Sequence, residues 1–395
     1  MLHEIIVFLA ASVQMGPAVL LVSTAIKWLG VARIPRDLAK AGWNVSLLAP
    51  KGSLAEHSRY VQKIGHLPDN ATSLQWLHAF AAMAKATMPR LVLPCDDTAF
   101  YLMQQLVVAP PNNMQSVLQL QLATLITESL GDSAHYRASV DKTLICAAAE
   151  AVGVRVPPYG VISDPAAAKS FAATHGWPVV LKRSYSSAGE GVAICVDQDA
   201  LIRQFAWLVN SKTLNPNDSK ANRLLVQAYI PGRTQYFAGT AWRGSLLCGY
   251  AVDKLAGEPQ GPASVVRYFH SAELQGSATR LAAGFGATGI FAPEYIIHEG
   301  TGEPYLVEIN RRITPGTHRG EFINVSTGAA LFAAIEGGPL NTRRRLDDGE
   351  KRVFVNFPQE WLRDPKSSYL RDYPVDVPWD EPELIEAMLA MRHER

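Results

Sequence analysis

An acidic and an amide side chain stand two residues apart at the end of an apolar run. In "YLVEINRR" (Tyr305 to Arg312), Glu308 and Asn310 are separated by one isoleucine. Because side chains alternate along a β-strand, both would project from the same face of a sheet. Carboxylate and amide oxygens suit Mg²⁺, which is commonly shared between a few carboxylates and nucleotide phosphates. The pattern therefore indicates a magnesium site, and Arg312, two residues further on, is placed to hold a second anion.

A second acid lies across a predicted hairpin from Glu308. The runs "FAPEYII" and "PYLVEIN" flank "HEGTGE", in which Gly300-Thr301-Gly302 is a strong turn signal. With a three-residue loop, Glu294 lies directly opposite Glu308 on one sheet face. Two buried carboxylates side by side repel each other unless a cation lies between them. A two-residue turn would put the acids on opposite faces, and the segment would then be a solvated edge hairpin.

A lysine precedes a loop of small residues further upstream. "VVLKRSYSSAGEGVAI" (Val179 to Ile194) reads as a strand, Lys182, a loop that contains Gly189 and Gly191, and a second strand. The backbone N–H groups of such a loop can close over phosphates, while a lysine at its base supplies a point charge. No GK[ST] follows, so the segment is not a Walker A motif. The alternative is a flexible surface hairpin.

The elements that would position these residues begin with a parallel α/β unit. "AVLLVS" is a buried strand, "VARIPRDLAKAG" a helix closed by Gly42, and "NVSLLAP" a second strand. A helix around Leu74 to Ala86 and a third strand at "RLVLPCDD" extend the unit over about 120 residues. Ligands lie at the carboxyl ends of such strands, which makes four residues candidates: Ser23, Thr24, Asp96 and Asp97. The alternative for the two acids is that they only cap the next helix.

A second unit follows a helical connection over Gln104 to Leu130. Its apolar-periodic helix ends at Gly153, and the helix of "PAAAKSFAATHG" leads to the strand "PVVLKRS". Asn210 to Arg223 is a polar surface loop. After Leu340, a charged linker leads to the short strand "VFVNFP" and a helical tail.

Length and composition set the broad class. A chain of 395 residues with 48% hydrophobic and 18% charged residues is globular and folds as two or three packed units. The net charge of +1 gives no overall attraction for nucleic acid, so we expect a small-molecule partner. The four cysteines form no CxxC pair, which indicates neither a zinc site nor a disulfide framework and favours a reducing cytoplasm.

One uncharged stretch, Ile5 to Ile26, is long enough to span a bilayer. Gln14 and the Gly16-Pro17 pair would break such a helix, and Ala18 to Ser23 fits a strand better. A cleaved signal is disfavoured because "MLHE" lacks a positively charged start. We therefore expect no membrane association.

Four segments resemble, in their order and spacing, the ATP-grasp superfamily and its carboxylate–amine ligases: "VDKTLICAAAEAVGVRVP", "PVVLKRSYSSAGEGV", "LLVQAYIPG" and "FAPEYI…YLVEINRR". The resemblance covers about Tyr136 to Leu331, and the E-x-N-x-R end is its most specific part. It implies an α/β protein with the ATP-grasp fold, in which two α+β subdomains clasp ATP, preceded by a Rossmann-like N-terminal α/β domain. The implied domains are 1–122, the ATP-grasp domain 123–340 (about 136–226 and 227–340), and a C-terminal extension, 341–395.

The resemblance also implies roles for individual residues. Phosphate and lid contacts would come from Lys142, Lys182, Ser184, Ser186, Ser187, Gly189 and Gly191, and the adenine hinge from Gln227, Ala228, Tyr229 and Ile230. Mg²⁺ or Mn²⁺ would be bound by Glu294, Glu308 and Asn310. The catalytic residues would be Arg312, Arg267 and Lys182, and the substrate would contact Arg312, Thr317 and His318.

Other interpretations of three of these residues remain open. Lys142 fits a first-turn helix lysine, Arg267 a surface charge, and His318 a hydrogen-bonded loop histidine. The chain also departs from many family members at Ala228, where they have a glutamate, and near Thr234, where they have an acid that meets the ribose. Base and sugar contacts are therefore less defined than phosphate and metal contacts.

The activity that the resemblance implies is that of a cytoplasmic, ADP-forming C–N ligase that depends on ATP and magnesium. An amino acid or other small carboxylate would attack the γ-phosphoryl group, and an amine would then attack the acyl phosphate. The expected partners are small-molecule carboxylate and amine substrates, without nucleic acid or membrane, and a homodimer is allowed for. Two alternatives stay open: a ligase for a purine-pathway or other non-amino-acid carboxylate, and a nucleotide-binding protein that has lost catalysis.

Overall fold

The N-terminal unit contains a parallel sheet, as predicted. The computed structural model describes residues 16–111, 116–184, 191–210, 223–257, 262–339 and 351–391. Four strands pair in the order β3-β2-β1-β4, namely β1 (Ala18–Val22), β2 (Asn44–Pro50), β3 (Lys63–Leu67) and β4 (Leu91–Pro94). The inner strands β1 and β2 are almost wholly buried, which explains their continuous apolar runs. The edge strand β3, "KIGHL", is mostly exposed and lacks such a run, so sequence analysis did not find it.

Both faces of this sheet are covered. Leu20 and Val22 pack in one apolar cluster, whereas Val19 and Leu21 pack in another. Side chains alternate along β1, so helices on both sides bury it completely. The helices of this unit are α1 (Leu29–Lys40), α2 (Ser73–Thr87), α3 (Asp97–Val108) and α4 (Ser116–Leu130).

The central unit is an antiparallel sheet with helices on one face. Its strands pair in the order β5-β8-β6-β7, namely β5 (Tyr159–Ile162), β6 (Val179–Arg183), β7 (Val192–Cys195) and β8 (Leu224–Ala228). Leu181 and Val226 of this sheet pack against two helices, α7 (Pro165–His175) and α8 (Gln198–Asn210). Two shorter helices precede the sheet, α5 (Tyr136–Val140) and α6 (Lys142–Glu150).

The third unit is a six-stranded antiparallel sheet in the order β13-β12-β9-β10-β11-β14. The strands are β9 (Gly232–Trp242), β10 (Ser245–Gly257), β11 (Ala263–Phe269), β12 (Gly289–His298), β13 (Pro304–Asn310) and β14 (Lys351–Val355). Helix α9 (Ala272–Gly284) packs on it through Leu274 and Leu281, which meet Phe237 and Phe291. A 3-10 segment (Thr317–Ile323) and helix α10 (Thr327–Glu336) follow β13.

The C-terminal segment joins the other units. Strand β14 lies within the segment predicted as an extension, and it completes the third sheet by pairing with β11. Three helices follow, α11 (Gln359–Arg363), α12 (Ser368–Asp372) and α13 (Pro382–Ala390). Leu384 and Met388 of α13 pack on Ala32 and Leu54 of the N-terminal unit. The segment therefore ties the third sheet to the N-terminal unit, while the domain boundaries stay a prediction.

The uncharged stretch Ile5 to Ile26 enters the described ranges at residue 16, and Ala18–Val22 within it form the inner strand β1. Across the described ranges, no helix has both the length and the apolar character needed to cross a membrane. Residues 211–222 of the predicted polar loop and residues 341–350 of the charged linker lie outside those ranges.

Candidate active site

A cavity of about 530 Å³ lies between the central sheet and the third sheet. Its volume is in the usual range for a small-molecule site. Apolar side chains from both sheets line it, including Val180, Ile194 and Ile296. Charged and amide side chains also line it: Lys142, Lys182, Lys254, Glu294, Glu308, Asn310, Arg312 and Arg319. The predicted lysines, metal ligands and Arg312 thus come together in one place.

The two acids face each other across the β12–β13 hairpin, as predicted. Glu294 pairs directly with Glu308 in the register of the two strands. The turn itself differs from the prediction. The His298 N–H donates to the Glu303 carbonyl at 2.9 Å, which makes the loop 299–302, one residue longer than predicted.

A β-bulge restores the predicted pairing. The register near the turn pairs Tyr295 with Leu306, and continuing it would place Val307 opposite Glu294. The register shifts at this point, so that Val307 is left over and Glu308 takes the position opposite Glu294. Without the bulge, Glu308 would project from the other face. The bulge is therefore the local feature that places both carboxylates in the cavity.

Two lysines reach this hairpin from the central unit. Lys142 begins α6, where the Asp141 side chain caps the helix, and its Nζ lies 2.6 Å from Glu308 Oε1. Lys182, on β6, is buried and donates to the carbonyl of the bulged residue Val307 at 3.2 Å. Lys142 thus contacts Glu308, a candidate metal ligand, and Lys182 contacts the bulged residue that orients Glu308.

The two facing carboxyl groups lie close together in the cavity, so a cation between them would be stabilised. Desolvation and, next, the facing carboxylate of Glu308 raise the pKa of Glu294. Desolvation alone would also raise the pKa of Glu308, but Lys142 and other cations hold it below its ordinary value. Burial and the charge of Lys142 lower the pKa of Lys182 to about 8.

The donor set itself suits magnesium. Among the described residues, none forms an ion pair or a side-chain hydrogen bond with the Glu294 carboxylate. No three or more His, Cys, Asp and Glu side chains of the described residues are grouped so that they could hold a metal ion by themselves. Glu294, Glu308 and Asn310 offer two carboxylates and one amide, which is the oxygen-rich, incomplete set that Mg²⁺ shares with phosphates. It is a poor zinc site, because no histidine or thiolate is present in it.

Arg312 does not stand free in the cavity. Its Nε and Nη2 donate to the two carboxylate oxygens of Asp97 at 2.9 and 3.1 Å. Its guanidinium also lies over the Trp28 ring, 5.0 Å from the centroid. Asp97 therefore pairs with a site residue rather than capping α3. Asp96 takes the capping role by accepting from the Ala99 N–H.

The hinge segment predicted for adenine lines the cavity, and two of its N–H groups are already bonded. The Ala228 N–H donates to Pro158 and the Tyr229 N–H to Pro178. No described residue accepts from the Ile230 N–H. Gln227 donates to the Cys146 sulfur at 3.2 Å.

The structure does not bring three predicted residues to the cavity. Arg267 binds the buried Asp253, which also accepts from Arg233. Thr317 bonds to Thr314, and His318 is buried against Asp376. All three bond to partners within the protein, as the open interpretation of His318 allowed, whereas Arg267 is not the isolated surface charge of its alternative. The predicted lid residues Ser186, Ser187 and Gly189 lie outside the described residues, and the flanking Ser184 and Gly191 do not line the cavity.

Among the lining residues that sequence analysis missed are Arg319, Tyr236 and Trp28. Tyr236 lies opposite Glu294 on the neighbouring strand β9, a pairing between strands far apart in sequence. Arg319 is the next residue after the predicted His318, within the same "TPGTHRG" loop. Only the donor-rich character of that loop pointed to it.

The buried His318 makes stability depend on pH. Burial and the nearby Arg33 lower its pKa to about 3, from an ordinary value of 6.5. The native state therefore holds His318 neutral, and its contribution to stability is full above pH 6.5 and is lost as pH falls towards 3. We expect the free energy of unfolding to fall by about 2 kcal/mol from this group between pH 6.5 and 5. Denaturant unfolding of wild type and His318→Gln checks this, because other groups cancel in the comparison; equal pH slopes would contradict it.

Comparison with known proteins agrees with this geometry. Residues 141–233 match the family described as carbamoyl-phosphate synthase L chain, ATP binding domain. A search of curated proteins finds no relative by sequence.

Solved structures share the fold over most of the chain. The biotin carboxylase domain of Hydrogenobacter thermophilus 2-oxoglutarate carboxylase matches with a TM-score of 0.64 and 18% identity, over 84% of this chain and 72% of that one. Campylobacter jejuni biotin carboxylase gives a TM-score of 0.66 and 14% identity, over 87% and 76%. Staphylococcus aureus N5-carboxyaminoimidazole synthetase matches with a TM-score of 0.60 and 12% identity, over 82% of this chain and 79% of that one. These matches confirm the predicted fold class: the chain has the ATP-grasp fold, with a parallel α/β unit at its N-terminal end.

Proposed function

We propose that this protein is an ATP- and magnesium-dependent carboxylate–amine ligase that forms ADP. The observation that carries the proposal is the Glu294–Glu308 pair, which lies with Asn310 in one cavity and is approached by Lys142 and Lys182. Paired acids, a shared amide and two lysines suit the phosphates of a nucleotide better than a neutral metabolite.

We infer an orientation for ATP from the residues that line the cavity. Its base would lie against the apolar side chains of Val180 and Ile194, near Ile230. Its phosphates lie at the two lysines and the acidic pair. Mg²⁺, held by Glu294, Glu308 and Asn310, supplies charge neutralisation to the phosphate oxygens when bound.

The proposed reaction needs no nucleophile from the protein, because the two substrates supply the attacking atoms. A substrate carboxylate oxygen attacks the γ-phosphorus, the bond to the β-phosphate oxygen breaks, and ADP leaves. An amine then attacks the carbonyl carbon of the acyl phosphate, and inorganic phosphate leaves with the carboxylate oxygen. Lys142 and Lys182 orient the phosphates and stabilise the charge that develops on them, which is the main requirement of phosphoryl transfer.

The identity of the acid is the open part of this proposal. One similar structure is a complex with MgADP, ADP and bicarbonate, and another is an N5-carboxyaminoimidazole ribonucleotide synthetase. We propose an amino acid or other small carboxylate as the acid, with a purine-pathway acid as the alternative. We also propose a cytoplasmic location, which agrees with four unpaired cysteines, and a homodimer, the state of one similar domain.

A screen of phosphate release tests the proposal. ATP and Mg²⁺ would be incubated with amino acids, bicarbonate and other small acids, singly and with amines. We expect phosphate release that requires an acid and increases with a matching amine. ATP binding without acid-dependent release would instead favour a nucleotide-binding protein.

A further inference from the structure

Arg319 is a cavity residue that forms no ion pair with any residue that the structure describes. Its side chain lies in the 3-10 segment after β13, is only 2% exposed and lines the cavity. Among described residues, no carboxylate lies within ion-pair distance of its guanidinium, and the nearby Asp376 contacts His318 and Arg33 instead. A buried charge without an anionic partner is costly, so a site of this kind suits an anionic ligand.

The contacts of Arg319 are all with neutral oxygens. Its Nε donates to the Gly316 carbonyl at 3.5 Å, its Nη2 to the Tyr236 hydroxyl at 3.1 Å, and its Nη1 to the Asn356 side chain. These bonds fix the plane of the guanidinium and use three of its five N–H groups. The Tyr236 hydroxyl accepts from Arg319, and no described residue accepts its own hydrogen. Donors of both residues are therefore left for a ligand.

The position of this pair relates it to the acidic hairpin. Tyr236 lies directly opposite Glu294, which in turn lies opposite Glu308, so the three side chains share one row of the sheet. An anion held by Arg319 and Tyr236 thus lies beside the proposed metal and phosphate site. Arg312, the residue first predicted to bind the substrate acid, is already paired with Asp97 through both carboxylate oxygens.

Gly316 makes the space that Arg319 occupies. A Cβ added at Gly316 would lie 1.8 Å from Arg319 Nη2. The backbone φ of Gly316 is −107°, which any residue adopts, so substitution would act through this contact rather than through strain. Gly316→Ala is therefore a way to displace the guanidinium without removing its charge.

We propose that Arg319 and the Tyr236 hydroxyl bind the carboxylate of the acid substrate, with Arg319 as the specificity-determining residue. The proposal rests on the proposed ligase function for its physiological ligand, but the anion site can be tested without turnover. A planar guanidinium supports two hydrogen bonds to one carboxylate, and a phenol hydroxyl adds a third.

The test uses ¹³C-formate as the smallest carboxylate probe and formamide as its neutral counterpart, added to the full chain with MgADP. NMR line broadening of formate is expected for wild type, and not for formamide. Arg319→Met and Gly316→Ala should each reduce the broadening at least about fivefold, whereas Gly276→Ala should not. Gly276 is the matched control, because an added Cβ there meets only Arg280 Nη1, at 3.6 Å.

The outcomes separate this proposal from the ligase proposal. Broadening that survives both variants, or that is missing in wild type, overturns the anion site. Should an acid from the phosphate-release screen serve as substrate, Gly316→Ala should raise its KM at least about tenfold and leave the KM of ATP within about twofold. An unchanged KM for the acid overturns the anion site while the ligase stands. Formate binding at Arg319 without acid-dependent ADP formation supports the anion site and contradicts the ligase.

Discussion

Glu308→Gln should abolish acid-dependent ATP turnover, with a loss of roughly 10²–10³-fold, while the chain stays folded. The substitution keeps the volume of the side chain but removes the charge that faces Glu294 and binds Lys142 at 2.6 Å. It removes one proposed metal ligand and releases the lysine from its partner. Phosphate release at saturating Mg²⁺, together with circular dichroism, measures both parts of the prediction.

Glu303→Gln is the matched control for this experiment. Glu303 lies on the same hairpin, is 42% exposed and pairs with Arg155 outside the cavity. An exposed ion pair of this kind contributes little, so activity and stability should remain near wild type. Near-native turnover of Glu308→Gln would show that Glu308 is not a ligand.

Lys182→Met should weaken ATP binding by about tenfold or more and lower turnover further. Lys182 is 8% exposed and holds the carbonyl of the bulged Val307 at 3.2 Å. Methionine fills similar space but loses the charge near the phosphates and leaves that carbonyl without its donor, a cost of about 1–3 kcal/mol. Titration with a fluorescent ATP analogue measures the affinity, and thermal unfolding measures the stability.

Lys169→Met, an exposed residue on α7, gives the control for the loss of one positive charge. Its nucleotide affinity should equal that of wild type. A Lys182→Met protein that binds the analogue as tightly as wild type would place the phosphates elsewhere in the cavity.

The hairpin shows how far the sequence could predict this site. Counting outward from an assumed three-residue turn paired Glu294 with Glu308, and the structure confirms the pair. The geometry behind this pair differs from the prediction. The turn is one residue longer than predicted, and the bulge at Val307 compensates for the extra residue. Bulges depend on how a strand meets its neighbours and on contacts such as that of Lys182, which no local pattern encodes.

Polar contacts between residues far apart in sequence limited how much of the site could be predicted. Arg312 and His318 were predicted to contact the substrate. In the structure, Arg312 is hydrogen-bonded to Asp97 and His318 to Asp376. These partners lie 215 and 58 residues away in sequence, so their contacts could not be read from spacing. The parallel strands β1 and β2 were predicted correctly, because a strand buried on both faces has a continuous run of apolar residues in its sequence.

Transfer of oxygen from acid to phosphate tests the central claim most directly. The acid found in the phosphate-release screen would be labelled with ¹⁸O in its carboxylate and incubated with ATP, Mg²⁺ and the amine. Attack of the carboxylate on the γ-phosphorus, followed by attack of the amine on the carbonyl carbon, leaves one carboxylate oxygen in the released phosphate. The account predicts one ¹⁸O atom per phosphate by mass spectrometry. Unlabelled phosphate would contradict it, since water would then have attacked ATP without an acyl phosphate.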